Sequence, residues 1–379
     1  MDSWCVGAAP RGVASGGPAG DVGRRRWHSQ RLAESTGFDD PADVVRWMGA
    51  VQAQDYGQSL WALAARLREP SIAAVEAAVE AGTILRTWPM RGTIHWVPAA
   101  DAHWMVALSQ DRMLSAHRAR QRQLGITDDT VDRARDLLVG ALRGGRRLAR
   151  PDVMATWTDG GVVVDGQRGY HLLWVLAHER LIAIGPMAGR QQTFVLLDEF
   201  VPAGDRAAYD DPGSELARRY LRSHAPCTPK DFAWWAGITL AEARRRFEVA
   251  GAVPATTNRR DLWAPLPLTP GTGPTTLPTG VGLIAGFDEF LLGYQQRGDV
   301  LPTEVASRIV PGNNGIFLPG VVEDGIVVGT WRRVVTRDRV DVTVVPFGPT
   351  APSQDALTRA AGRYAKAVGR AVVAVTVER

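Results

Sequence analysis

Lysine is almost missing from this chain: of 44 basic residues only Lys230 and Lys366 are lysine, and the rest are arginine. Amines able to form a Schiff base are therefore scarce, whereas planar guanidinium forks suited to phosphate are plentiful. A GC-rich gene would produce the same bias towards arginine, alanine and glycine, so a net charge of +4 does not by itself argue for nucleic acid. Cysteine is equally sparse. Cys5 and Cys227 are too few for a disulfide framework. Neither CxxC nor HExxH occurs, and His171 and His178 are not at ligand spacing, so no metal site and no zinc-dependent base deamination are expected. No run of 18 apolar residues exists to span a bilayer. Residues 1–24 are rich in glycine, alanine and proline without a continuous apolar stretch, so they read as a disordered extension rather than a secretory signal. A cytoplasmic protein is expected.

What is present is enough apolar material for more than one core: 379 residues, 45% hydrophobic and 22% charged. The pattern turns helical from Arg24, and Asp40-Pro41 cap and open a second helix. Val44, Val45, Met48 and Val51 recur on one face of it, which predicts that the helix runs out near Gln52-Ala53-Gln54. Two amides at such a break are either solvated filler or the lining of a cleft, with two carbonyl acceptors and two amide donors.

The period then switches. Residues 84–88 and 93–97 alternate as strands around Pro89-Met90-Arg91-Gly92, a hairpin that follows helices and so predicts a winged-helix unit. Helices followed by a bracketed loop at 185–192 repeat the plan, and a third round ends in a weak strand near Leu262-Trp263. A stretch rich in Pro, Gly and Thr at 265–280 marks a boundary. Beyond it strands are expected at 281–285, 304–310, 315–318, 325–331, 340–345 and 371–377, with a helix at 353–369. The fold expected is α+β: an extension at 1–24, winged helices at 25–98, 99–200 and 201–264, a linker at 265–280, and a small β-barrel-like domain at 281–379.

Several pieces, in order, carry a resemblance: Val51-Gln52-Ala53-Gln54, the hairpin from Arg86 to His95, the block from Gly286 to Tyr294, Asn313-Asn314-Gly315-Ile316-Phe317, and Val327 to Arg333. Together they resemble the AlkZ/YcaQ family of bacterial winged-helix DNA glycosylases from Arg24 onward. Gln54 matches the Gln-x-Gln branch rather than the Gln-x-Asp branch. The resemblance implies excision of bulky alkylated purines from duplex DNA, often as protection of a producer from its own alkylating product. It also implies a monomer associated with the nucleoid that needs no cofactor.

Alkylation at N7 or N3 of a purine makes the base a cationic leaving group, so no acid is needed to expel it. The enzyme has only to hold a water and set negative dipoles beside the developing oxocarbenium ion. Gln52 and Gln54 are the catalytic candidates, and with so few lysines hydrolysis without strand cleavage is expected. Arg86, Arg91, Arg190, Arg332 and Arg333 are candidate phosphate contacts, His95 could orient sugar or phosphate, and Asn313-Asn314 are a candidate minor-groove probe at a hairpin tip. Asp288-Glu289 reads as a brace between domains, and Trp234-Trp235 as core of the third unit. The rival reading is a tandem winged-helix DNA-binding protein or transcription regulator with no chemistry of its own.

Overall fold

In the computed structural model, which describes residues 18–255, 257, 259, 261–265 and 277–378, helices begin where capping side chains occur. Asp40 accepts from the Ala42 N–H at 2.7 Å, Pro41 takes the first position of Pro41–Met48, and Gly49 at φ 81° closes the helix. Asp55 opens Tyr56–Ala64, Ser71 opens Ile72–Glu80, and Thr228 with Asp231 forms a reciprocal capping box at Pro229–Ala236. One expectation needs correcting at the start. Residues 18–24 are part of a helix, Pro18–Ser29, in which Val22 is buried and Trp27 meets the Phe290 ring edge-on at 5.4 Å. Residues 1–17 lie outside the described residues.

Helices followed by a hairpin occur in the expected order, but the first two hairpins do not stand apart as wings. Ile84–Met90 pairs with Thr93–Pro98, Ile182–Ala188 pairs with Gln191–Leu196, and Arg86 opposite Ile184 joins the two hairpins antiparallel. Val51–Gln52 and Leu148–Ala149 complete a six-stranded sheet at its two edges. Joining the hairpins pairs backbone groups that two separate wings would leave as open edges. The third hairpin, Ala252–Pro254 with Trp263–Pro265, remains separate. Of the expected linker, residues 266–276 lie outside the described residues.

The barrel expectation also fails. Val281–Ile284, Gly320–Glu323, Ile326–Val335, Arg339–Pro346 and Ala371–Val377 form an open sheet in that order. Its last strand runs parallel to its neighbour, which requires a crossover, and the crossover is the helix Gln354–Ala367. That helix buries Leu357, Ala360, Ala361 and Tyr364. A helix therefore covers the face that barrel closure would have enclosed. Residues 303–309 are helical rather than strand, and 315–318 are irregular.

The C-terminal sheet shares its core with the first unit. Trp61 and Trp331 each meet the Tyr364 ring edge-on at 5.1 Å, and Trp61 Nε1 donates to the Leu283 carbonyl at 2.9 Å. Arg66, wholly buried, reaches both carboxylate oxygens of Asp288 at 2.8 and 3.1 Å. These contacts bring the block around Asp288-Glu289 against the strand that carries the glutamines.

Candidate active site

The two glutamines do not sit at a helix end. Met48 and Gly49 finish the helix, and Val51-Gln52 form a short strand opposite Trp96 and His95. The Ala53 N–H continues the ladder to the Ile94 carbonyl at 2.8 Å. The strand ends at Gln52, and Gln54 stands in the bend just before Asp55, which caps the next helix. Ala53 is 0% exposed and turns into the core, while Gln52 is half-buried and Gln54 is exposed.

Gln54 is held at its side-chain amide and Gln52 through its backbone. Gln54 Oε1 accepts from the Ile94 N–H at 3.3 Å, and the Gln52 backbone N–H donates to Glu289 Oε1 at 2.9 Å. The Glu289 carboxylate is wholly buried, with its other oxygen accepting from Trp235 Nε1 at 3.0 Å. Its one basic neighbour within 4.0 Å among the described residues is His224, at 3.7 Å. Burial works against the charged carboxylate, but His224 and the Gln52 N–H outweigh it and hold Glu289 below the usual carboxylate range. Burial likewise lowers His224, with Glu289 offsetting part of the shift.

His95 lies directly across the strands from Gln52 and is fully buried, so it does not offer a surface contact to phosphate as expected. Its Nδ1 donates to the Thr93 carbonyl at 2.9 Å, which leaves Nε2 as the unprotonated nitrogen of a neutral ring. Burial holds its pKa at about 4, partly offset by Glu289.

The expected phosphate contacts divide. Arg86 is 3% exposed, its guanidinium 4.5 Å from the Tyr56 ring centroid and 5.4 Å from that of Trp96, so it supports the sheet and offers nothing to a phosphate. Arg91 belongs to the cleft. With Gly92 it makes a turn in which both residues have positive φ, 49° and 71°, as tight hairpins require. Its guanidinium lies 4.4 Å from the Trp234 ring centroid, with Arg297 5.0 Å from the same ring. Arg112 approaches beside Gly237. None of these three arginines makes an ion pair among the described residues, and burial lowers the pKa of each. Trp234 therefore carries cations, whereas Trp235 is core as expected.

Other candidates are elsewhere. Arg190 is exposed at the tip of the second hairpin. Arg332 pairs with Glu378, and Arg333 lies 4.9 Å from the Tyr364 ring centroid. Asn313 and Asn314 are not at a hairpin tip, because no paired strands flank them; Asn314 Oδ1 accepts from the Ile316 N–H at 2.9 Å and shapes a local turn.

Most of the chain matches a known family. The family described as DNA glycosylase AlkZ-like matches residues 45–367. The chain belongs to that family. Its AlkZ-like relatives include an "Interstrand DNA cross-link repair glycosylase" of Streptomyces sahachiroi, 25% identical over 347 residues, which cover 86% of this chain and 90% of the relative. A solved structure, Streptomyces sahachiroi DNA glycosylase AlkZ, shares the fold at a TM-score of 0.78 and 24% identity, covering 95% of this chain and 99% of that one. Among the described residues there is no cluster of three metal-ligating side chains and no helix long and apolar enough to cross a membrane. For this AlkZ-like chain, reasoning from sequence missed Glu289 as a partner of Gln52, and Arg112 and Arg297 as arginines without carboxylate partners among the described residues near Gly237 and Trp234. The first had a signal, an acidic pair inside an apolar block; the arginines had none, because arginine is everywhere in the chain.

Proposed function

We propose that this protein is a monofunctional DNA glycosylase that hydrolyses the N-glycosidic bond of bulky N7- or N3-alkylated purines in duplex DNA. The observation that supports the reading is that Gln52 and Gln54 both reach solvent on either side of the buried Ala53, two groups too weakly basic to deprotonate water yet well able to orient it. A cationic base departs with the electron pair of its glycosidic bond and becomes neutral. Water then bonds to the sugar carbon, and its proton goes to solvent. The carbonyl oxygens of Gln52 and Gln54 hold that water, Gln54 being the more exposed, and place negative dipoles beside the cationic sugar.

Arg91, Arg112 and Arg297, free of carboxylate partners among the described residues, supply phosphate contacts beside the amides. Arg190 on the second hairpin extends that surface on the duplex. A cavity of about 280 Å³ beside Gly92, lined by His117, Tyr170, His171 and Trp174, gives room for a large substituent. On this reading the enzyme works as a monomer in the nucleoid without a cofactor, and self-protection against an alkylating natural product is within its scope. The cross-link repair named for the relative adds purines joined across strands to the substrates for assay.

The test is incubation of duplexes carrying small and bulky purine adducts, followed by alkaline cleavage at abasic sites. Each of Gln52→Ala and Gln54→Ala is expected to slow single-turnover excision about 10²- to 10³-fold with duplex affinity kept. Undiminished excision by the double variant would remove the site assignment. No excision of any adduct, with a preferred repeat sequence bound instead, would favour a regulator.

A further inference from the structure

The Gln-x-Gln motif contains no anion, yet the reaction proposed above builds positive charge on a sugar. A carboxylate is nonetheless present behind the motif. Glu289 is 0% exposed and accepts from the Gln52 N–H and from Trp235 Nε1, at 2.9 and 3.0 Å. It has no arginine or lysine within 4.0 Å among the described residues, only His224 at 3.7 Å. Its neighbour Asp288, by contrast, has a full ion pair with Arg66.

A buried carboxylate without a cationic partner is costly, and stability alone does not account for it. Burial disfavours the charged form of His95 and His224, and Glu289 offsets part of that in each. Glu289 also favours the charge of Arg91, at the hairpin tip.

We infer that Glu289 is a positioning residue of the active site, whose buried charge holds the Gln52 strand and stabilises the cationic sugar across it. The inference rests on the glycosylase reading. Glu289 touches neither substrate nor the attacking water and takes no proton. It acts through the Gln52 backbone, which it fixes, and through its field. At roughly 8 Å and an effective dielectric of about 20, the charge favours binding of a full cation at the sugar by about thirtyfold; because the base is already cationic, a rate effect of about threefold remains for a base about 4 Å farther away. The departing base benefits as well, because the anion favours the state in which positive charge has moved to the sugar.

Two duplexes test this directly, one carrying a cationic pyrrolidine in place of the damaged nucleoside and the other a neutral tetrahydrofuran. The full-length wild-type protein is expected to bind the cationic duplex about tenfold or more tighter. Glu289→Gln keeps an acceptor for the Gln52 N–H but removes the charge. It should bind the two duplexes alike and excise about threefold more slowly, with affinity for undamaged duplex unchanged. A purely structural role would alter the melting temperature and leave the cation preference intact. Equal binding of both duplexes by wild type, or a full preference in Glu289→Gln, overturns the inference. Should Glu289→Gln not fold, Glu289→Asp carries the test, and a folded Glu289→Asp without cation preference also overturns it. Wild type that excises adducts but lacks the preference defeats this inference alone. Wild type that excises nothing defeats the glycosylase reading.

Discussion

Replacing Arg66 with methionine tests how the C-terminal sheet holds the glutamine strand. Arg66 is 0% exposed, and its guanidinium donates to Asp288 at 2.8 and 3.1 Å, to Gln30 Oε1 at 2.7 Å and to the Ala62 carbonyl at 2.7 Å. Methionine keeps much of the volume but removes every donor. An exposed pair would be worth at most about 1 kcal/mol. Here Asp288 is left charged, buried and unpaired, and losing one member of such a pair costs roughly 3–5 kcal/mol. Arg66→Met with Asp288→Asn removes the stranded charge and should recover about half of that loss, since only unpaired polar groups then remain. The assay is urea unfolding at neutral pH, followed by two probes so that a multistep transition is not read as one. Because Asp288 immediately precedes Glu289, the single variant should also excise more slowly at temperatures where it is folded. A loss under about 1 kcal/mol in Arg66→Met, or a double variant no more stable than the single one, would refute the reasoning.

Two further outcomes are expected. Burial holds His95 at about 4 against an ordinary 6.5, so below pH 6.5 the unfolded chain takes up a proton that the folded protein refuses. Stability should therefore fall as pH drops from 6.5 towards 4, by up to about 3 kcal/mol from this residue, and unfolding midpoints across that window should show a shallower slope in His95→Gln. An unchanged slope would count against a neutral His95. For binding, Arg91→Ala and Arg297→Ala should each reduce the slope of log affinity against log salt by about one, whereas Arg86→Gln should leave it unchanged. Titrations at several salt concentrations decide between them, and a full loss in Arg86→Gln would mean that the hairpin opens on DNA.

The sequence by itself determined the local units and the chemistry available to them. Asp40-Pro41, Ser71 and the Thr228-Asp231 box state where helices begin, because a cap needs only its own neighbours. Arg91-Gly92 states where a hairpin turns, because positive φ is a local demand. The same local character explains the misreadings. The apolar spacing through Val51 is compatible with a helix, and only pairing with Trp96 and His95, more than forty residues onward, makes Val51-Gln52 a strand. The merging of two hairpins through Arg86 and Ile184 and the helix that covers the C-terminal sheet are long-range choices of the same kind. So is the site. Which arginines are left without carboxylate partners and which carboxylate bonds the Gln52 N–H depend on elements hundreds of residues apart, and on burial that turns Arg86 into packing and encloses Glu289. Hydrogen-bond partners and desolvation belong to the assembled core, and no stretch of chain encodes them alone.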